Sequence, residues 1–234
     1  MAEPSPELWW ARGPADPRAV VLMLHGGAEN GTRRPRRYDP AVLRARVVGE
    51  AVARAGSDDG LRVEMLRYRM LGWNEGSSVS DARWALDDLA RRFPGTPIGV
   101  FGHSMGGRTA LLVLDDPRLR AVVTAATWVE LRDLPAIRPH AGLDALLLHG
   151  AWDRITSRRG SLLAADHLRA LGARVALIDD IRDGHGMLLR ARTWHRTASE
   201  FLRDALGPAA ARPPMAPEPG PRGGRKSRRA DSNR

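Results

Sequence analysis

The feature that most constrains this chain is a glycine-rich segment joining an apolar run to a helix-like one. Residues 97–101 predict a strand, residues 102–107 read Gly-His-Ser-Met-Gly-Gly, and the residues that follow predict a helix. Glycines two positions before and two after Ser104 fit a sharp strand–turn–helix connection, because a Cβ at either position would collide there. Such a turn strains the backbone at Ser104 and lifts its hydroxyl above the sheet. Ser104 is therefore the first candidate nucleophile.

The remainder of the chain alternates strand-like apolar runs with amphipathic segments, which predicts an α/β fold with a mostly parallel central sheet and helices on both faces. A strand is also predicted from residue 143, ending in the loop that carries Asp153. The other predicted strands are residues 7–12, 19–24, 62–69, 97–101, 119–127 and 174–179; the predicted helices are residues 40–55, 79–92, 108–115, 157–171 and 188–206. The connection over residues 128–142 is too short for a separate lid, so no large cap domain is expected.

Length and composition favour one folded domain, residues 1–207, followed by a Pro/Gly/Arg-rich tail, residues 208–234, for which we expect no fixed structure. The chain has no cysteine, which excludes disulfides and thiolate chemistry. No basic region followed by an apolar core begins the sequence, and the longest apolar runs are only strand-sized. These features predict a cytoplasmic protein with no membrane span.

The formal net charge of +10 raises the question of a nucleic-acid partner. Half of that excess lies in residues 208–234, and Lys226 is the only lysine among 37 basic residues. An arginine bias of this kind favours a GC-rich coding sequence over selection for phosphate binding. The tail is interpreted as a solvated extension rather than a polyanion tether, and nucleic acid is not the expected partner.

Three candidate catalytic residues lie after predicted strands, in the chain order Ser104, Asp153, His185. The carboxyl ends of parallel strands meet at one edge of a sheet, where ligand-binding loops gather. With Gly102-His103-Ser104-Met105-Gly106 and the early His25-Gly26-Gly27, this order makes the sequence resemble the α/β-hydrolases, over about residues 19–206. The likeness is to small, uncapped members of the esterase and lipase type.

The resemblance implies a mechanism residue by residue. Ser104 matches the nucleophile, His185 the general base that activates it, and Asp153 the acid that orients the imidazole. The backbone N–H groups of Met105 and Gly27 match the oxyanion hole. No cofactor is implied.

Other assignments remain open at this stage. Asp144, Asp179, Asp180 and Asp183 lie near the same loops, and Asp183 is the strongest rival to Asp153, although it needs a tight local turn to reach His185. His25 and His149 are expected to be satisfied by backbone hydrogen bonds, and His103 to point away from Ser104. His140, His167 and His195 are interpreted as surface or packing residues.

Substrate contacts are less defined in the sequence. Trp73, Trp128 and Trp152 follow predicted strands and either line an acyl pocket or simply pack there. Arg67 and Arg69, and the arginines of residues 33–37, are either anion-binding or solvated, with solvation favoured. The sequence shows no metal-ligand spacing and no nucleotide-binding loop, so no metal site is predicted.

The predicted function is hydrolysis of an ester or related acyl bond through an acyl-enzyme on Ser104, with a small-molecule acyl substrate. An acyltransferase and a non-catalytic ligand-binding protein of the same fold are the alternatives. Nothing in the residues chooses among esters, thioesters and amides, or fixes the oligomeric state.

Overall fold

Seven strands form a single sheet in the computed structural model, which describes residues 4–207. The strands are β1 (Glu7–Arg12), β2 (Ala19–Leu24), β3 (Leu61–Arg67), β4 (Ile98–His103), β5 (Leu119–Ala125), β6 (Asp144–Gly150) and β7 (Arg174–Ile181). Their order in space is β1-β3-β2-β4-β5-β6-β7; β1 runs antiparallel to β3, and every other neighbouring pair is parallel. The predicted fold class, a mostly parallel sheet in an α/β protein, is confirmed.

Helices cover both faces of this sheet. They are α1 (Pro40–Ala55), α2 (Ser77–Arg92), α3 (Met105–Leu111), α4 (Arg158–Ala170) and α5 (Ala191–Leu206), with short 3₁₀ helices at Asn74–Gly76 and Leu131–Ala136. Helices α1 and α5 pack together on one face, and α2, α3 and α4 lie on the other. A parallel strand covered on both sides has no polar face, which explains why all six residues of β2 are buried.

The core is divided into two layers by the alternation of side chains along the strands. Leu22 and Leu24 of β2 point toward α2 and α3, whereas Val21 and Met23 point toward α1 and α5. Burial on both faces leaves the carboxyl ends of the strands, and the loops that follow them, as the place where polar groups can gather.

Several helix and strand ends differ from the sequence prediction. Helix α3 ends at Leu111 rather than near residue 115, because the amide of Leu112 already bonds the carbonyls of both Arg108 and Thr109, and tighter turns follow. Helix α5 begins at Ala191 rather than residue 188, since the Asp183 carboxylate accepts a hydrogen bond from the amide of Arg190. Strand β3 ends at Arg67, two residues early.

The connection between β5 and β6 carries only the second 3₁₀ helix, so no cap domain is inserted within the described residues. None of the helices in residues 4–207 is both long and apolar enough to cross a bilayer. The expected disordered tail, residues 208–234, lies outside the described residues.

Candidate active site

Ser104 lies at the sharp turn between β4 and α3. Its backbone has φ 55° and ψ −118°, a conformation that L-residues rarely adopt and that costs on the order of 1–3 kcal/mol. A hydrogen bond from its amide to the carbonyl of Ala125, 3.0 Å, ties the turn to β5. A Cβ on Gly102 would strike the backbone of Gly106, and a Cβ on Gly106 would strike the carbonyl of Leu24. The glycines are therefore required by the close approach of α3 to β2 and β4.

Asp153, in the loop after β6, contacts the imidazole of His185, in the loop after β7. The distance from Asp153 Oδ2 to His185 Nδ1 is 2.9 Å. The Asp153 side chain is fully buried, whereas that of His185 is one-fifth exposed. A carboxylate only accepts, so Nδ1 donates, and the neutral ring then carries an unprotonated Nε2 that is free to take a proton.

The Asp153 carboxylate is held by several further donors. Oδ1 accepts hydrogen bonds from the amides of Ile155 and Thr156, at 2.8 and 3.0 Å, and the Thr156 hydroxyl lies 2.8 Å from Oδ2. Burial alone raises the pKa of Asp153, but hydrogen bonds from His185, Thr156 and Ile155 outweigh it and hold that pKa well below its usual range. Asp153 therefore stays ionised at any pH near neutrality. The contribution of Thr156 was not predicted from the sequence, where a threonine three residues after an aspartate signals only a turn.

The other carboxylates near this site have different partners. Asp183 is buried and accepts hydrogen bonds from the Trp194 indole, 3.0 Å, and from the amides of Arg190 and Gly184, at 2.9 and 2.8 Å. Asp144 pairs with Arg174 where β6 and β7 begin, and Asp179 pairs with Arg158. Asp183 thus anchors the start of α5, and the carboxylate in contact with His185 is that of Asp153.

Two further histidines pack beside this pair. His103 Nε2 donates to the backbone carbonyl of His185, 3.1 Å away, and the two rings lie 5.0 Å apart. Burial and the neighbouring His185 lower the pKa of His103 to about 3, so its ring is neutral. This contact joins His103, which directly precedes Ser104, to the loop of His185. The alternation of side chains along the strand did not predict it.

His149 is fully buried; its Nδ1 lies 2.8 Å from the Ser161 hydroxyl, a side-chain partner that the sequence did not predict, and His149 also has a backbone partner in Thr156. Its Nε2 lies 3.6 Å from Asp153 Oδ2, and burial lowers its pKa. His25 also has the predicted backbone partner, since its Nδ1 lies 2.7 Å from the carbonyl oxygen of Gly26.

The structure brings Gly27 and Met105 together. A Cβ on Gly27 would lie 2.7 Å from the Met105 sulfur, which shows how closely the loop after β2 approaches the start of α3. Within residues 4–207, neither the amide of Gly27 nor that of Met105 is hydrogen-bonded to a protein acceptor. Two N–H groups without partners beside the elbow are suitable donors for an anionic oxygen.

Trp73 and Trp128 lie together. The two indoles are 6.2 Å apart, and the guanidinium of Arg108 stacks on both, at 4.1 and 4.4 Å. Arg108 is buried and bonds Asp133 at 2.7 Å. Trp152 lies in the loop that carries Asp153 and is more than half exposed. A cleft of about 460 Å³ borders the Arg108 cluster and is lined by Glu29, Asn30, Trp73, Glu75, Arg108, Arg132 and Asp133.

The arginines suggested as anion ligands are mostly occupied by carboxylates instead. Arg67 bonds Glu7 at 2.8 Å and the carbonyl of Pro35, and Arg69 bonds Asp81 at 2.6 Å. Arg33 makes two bonds of 2.8 Å to Asp39. Arg33 and Arg69 nevertheless keep 46% and 38% of their side chains exposed, so they are solvated, as the sequence favoured, as well as paired. Among residues 4–207, no group of acidic and histidine side chains is arranged to hold a metal ion.

Comparison with known proteins agrees with this architecture. A model of the family "Serine aminopeptidase, S33" matches residues 67–143. A search of curated proteins by sequence found no match.

Solved structures resemble the chain over most of its length. The esterase Est2 from Thermogutta terrifontis, solved with propionate bound, is 18% identical, with 82% of this chain and 87% of that chain covered and a TM-score of 0.65. MGS-M1, an α/β hydrolase from a Medee basin deep-sea metagenome library, is 17% identical, with 82% and 86% covered and a TM-score of 0.64. XC6422 from Xanthomonas campestris, described as an α/β serine hydrolase without lid, is 17% identical, with 84% of each chain covered and a TM-score of 0.57. The chain has the α/β-hydrolase fold.

Proposed function

We propose that this protein is a serine hydrolase that cleaves an ester or related acyl bond through an acyl-enzyme on Ser104. The observation that carries the proposal is the convergence of a strained serine and an Asp153–His185 hydrogen bond of 2.9 Å at one edge of the sheet. The contact between His103 and the backbone of His185 brings the two parts together. The resemblance to an esterase solved with propionate bound supports an acyl substrate.

Each residue has a defined part in the proposed reaction. The neutral hydroxyl of Ser104 is a weak nucleophile, so His185 Nε2 removes its proton as the oxygen attacks the acyl carbon. Asp153, ionised and buried, stabilises the imidazolium that forms and keeps Nδ1 protonated. His185 then returns the proton to the leaving alcohol. Water, activated by the same imidazole, releases the acid from Ser104.

The negative oxygen that forms during attack is assigned to the amides of Gly27 and Met105. Both are fixed by backbone packing and need no rearrangement as charge develops. Loss of one such donor typically costs about 10²–10³-fold in rate. The donors are backbone groups, so substitution of the Met105 side chain by leucine should change the rate little.

Labelling with a fluorophosphonate tests the nucleophile. The probe phosphonylates an activated serine with loss of fluoride, so the native protein should gain one adduct on the peptide that contains Ser104. Ser104→Ala should not be labelled and should lose turnover of p-nitrophenyl esters on the order of 10⁶-fold. Ser57→Ala, in an exposed turn far from the site, is the matched control and should label like the native chain. Equal labelling of native and Ser104→Ala proteins would overturn the proposal.

A further inference from the structure

The loops that carry Asp153 and His185 also carry large apolar side chains that face solvent. Within residues 4–207 the three most exposed large apolar side chains are Ile155, Leu189 and Leu188, at 75%, 72% and 70%. Trp152, at 55%, lies in the same loop as Ile155. We call these four residues the apolar rim. Isolated exposed apolar residues are ordinary, but a group of them at the entrance of a site indicates a surface that binds something.

The two loops adjoin, so the apolar rim is one surface rather than two. The amide of Trp152 donates to the carbonyl of Asp183, 3.1 Å, and the amide of Ala151 donates to the carbonyl of Ile181, 2.7 Å. The Asp153–His185 hydrogen bond joins the loops a third time. The apolar rim therefore lies directly beside the candidate catalytic pair.

The exposure of these side chains is imposed by the backbone. Met187 has φ 53°, its side chain is buried, and its amide donates to the carbonyl of Gly184. Met187 thereby fixes the backbone immediately before the exposed Leu188 and Leu189. Asp183 fixes the far end of the loop through the amide of Arg190. In the other loop, Asp153 Oδ1 holds the amide of Ile155. These loops present apolar groups on a fixed framework.

Exposed arginines accompany the apolar rim. Arg154, Arg182, Arg190 and Arg192 are exposed, and within residues 4–207 none has a carboxylate within 4 Å of its guanidinium. We call these four the basic ring. The two acids of the same loops, Asp153 and Asp183, point inward to the bonds already described. Elsewhere many arginines are paired, such as Arg67, Arg69 and Arg118. Other exposed arginines, such as Arg18, Arg36 and Arg46, also have no carboxylate within 4 Å among the described residues, so the basic ring is distinguished by its place in, or directly after, the two loops that carry the apolar rim.

We propose that the apolar rim and the basic ring seat the protein on an anionic lipid–water interface, with the candidate active site facing the lipid. Exposed tryptophan and aliphatic side chains enter the headgroup region, while arginines bind lipid phosphates and keep their charge in water. Each basic residue near an anionic surface strengthens binding about fivefold. This inference deepens the proposed hydrolase function, because it makes the substrate an acyl ester presented by a lipid layer.

Vesicle binding tests the surface without requiring turnover. The full chain should sediment with vesicles of equal parts phosphatidylglycerol and phosphatidylcholine, and much less with phosphatidylcholine alone. High salt should weaken binding, because it screens the arginines. Leu188→Ser/Leu189→Ser should lower binding at least tenfold. Leu162→Ser/Leu171→Ser, which changes two exposed leucines of α4 and the residue after it, is the matched control and should bind as the native chain does.

The contribution of the basic ring is tested with a second double variant and its control. Arg190→Glu/Arg192→Glu should lower binding to the anionic vesicles at least tenfold, whereas Arg120→Glu/Arg138→Glu, at the opposite edge of the sheet, should have a small effect. Residues 208–234 are present in every variant, so differences among variants report the rim and the ring. Equal binding by native, rim and ring variants would overturn the inference.

Activity separates this inference from the proposed function. All four variants should hydrolyse a soluble short-chain ester at the native rate, while only the rim and ring variants should slow on esters embedded in anionic vesicles. A chain that binds vesicles but does not react with fluorophosphonate would contradict the hydrolase proposal and leave the surface supported. A native dimer that dissociates in the Leu188→Ser/Leu189→Ser variant, without vesicle binding by the native chain, would assign the surface to a second copy and overturn the lipid interface.

Discussion

At the scale of single residues, two buried aspartates near His185 have different tasks. Asp153 directs Oδ2 to the imidazole and Oδ1 to the turn that follows it. Asp183 directs both oxygens to backbone and indole donors at the start of α5. One carboxylate is thus positioned to act on the histidine, and the other to hold the loop that carries it.

Substitution of each aspartate by asparagine should separate these tasks. Asp153→Asn should lower kcat for ester hydrolysis about 10⁴-fold with little loss of fold, because the amide donates to Nδ1 and favours the wrong imidazole tautomer. Asp183→Asn should keep kcat within about tenfold but lower the free energy of unfolding by about 1.5–3 kcal/mol, the range for bonds to a charged group. Steady-state kinetics and urea unfolding measure the two effects. The opposite pattern would make Asp183 the acid partner.

At the scale of elements, the elbow depends on how closely α3 approaches two strands. Gly102 and Gly106 face each other, and Gly106 also faces the end of β2. A Cβ added to either glycine would collide with backbone atoms, which cannot move aside as a flexible side chain can. Helix α3 can therefore pack this closely against β2 and β4 only because Gly102 and Gly106 have no side chains.

Gly106→Ala should accordingly be severely destabilising, by about 3 kcal/mol or more, because overpacking against fixed backbone cannot relax. Gly95→Ala is the control: nothing lies within 4 Å of its Cβ, and only its φ of +75° opposes the change, at about 1 kcal/mol. Urea denaturation of both variants compares the two costs. Similar losses would show that backbone conformation, rather than close packing, dominates at the elbow.

The connection between β5 and β6 is fastened to α3 by Arg108. Its guanidinium stacks on Trp73 and Trp128 and forms an ion pair with Asp133. The Asp133 carboxylate also accepts a hydrogen bond from the amide of Glu130. Both members of the Arg108–Asp133 pair are buried, at 3% and 8% side-chain exposure. An ion pair in this setting stabilises little by itself but costs much when only one member is removed.

Arg108→Met should therefore lower the free energy of unfolding by about 3–5 kcal/mol, since Asp133 is left buried without its partner. Arg83→Met breaks the exposed Arg83–Asp115 pair of α2 and should cost at most about 1 kcal/mol. Chemical denaturation of both variants provides the measurement. Equal losses would indicate that the Asp133 carboxylate finds other donors or water.

At the scale of the whole molecule, buried neutral histidines link stability to pH. Burial lowers the pKa of His25 to about 4 and that of His103 to about 3, and it lowers the pKa of His149 and His195 as well. The unfolded chain takes up protons below about pH 6.5 that the folded chain does not. Stability must then fall as the pH drops through this range.

Between about pH 7 and pH 5, the buried imidazoles of His25 and His103 should each reduce stability by on the order of 1–2 kcal/mol. The aspartates with lowered pKa begin to lose their contribution only near and below their ordinary pKa of 3.8, so this window isolates the histidines. Urea unfolding of the native chain and of His103→Gln at the two pH values tests this. The difference between the two pH values should be smaller in the variant, and an unchanged difference would contradict a neutral buried His103.

Much of the architecture could be predicted because the signals are local. A strand buried on both faces must be continuously apolar, as β2 is, and a turn as tight as that at Ser104 must be flanked by glycine. The ends of elements were less predictable, since they depend on distant partners. Helix α5 begins where Asp183 caps the loop, which no periodicity in residues 188–206 indicates.

The sequence by itself determined the α/β fold class and singled out Ser104 and His185, because strand patterns and glycine turns depend on residues that are neighbours in the chain. Only the tertiary structure decided that His185 contacts Asp153 rather than Asp183, that His103 and Thr156 support this pair, and that Arg67 and Arg69 are occupied by carboxylates. It also joined the two loops that carry the apolar rim, through the hydrogen bond from the amide of Trp152 to the carbonyl of Asp183. The physical reason is that these contacts join residues 12 to 82 positions apart, on different strands, helices or loops, and only the folded chain brings them within hydrogen-bond distance.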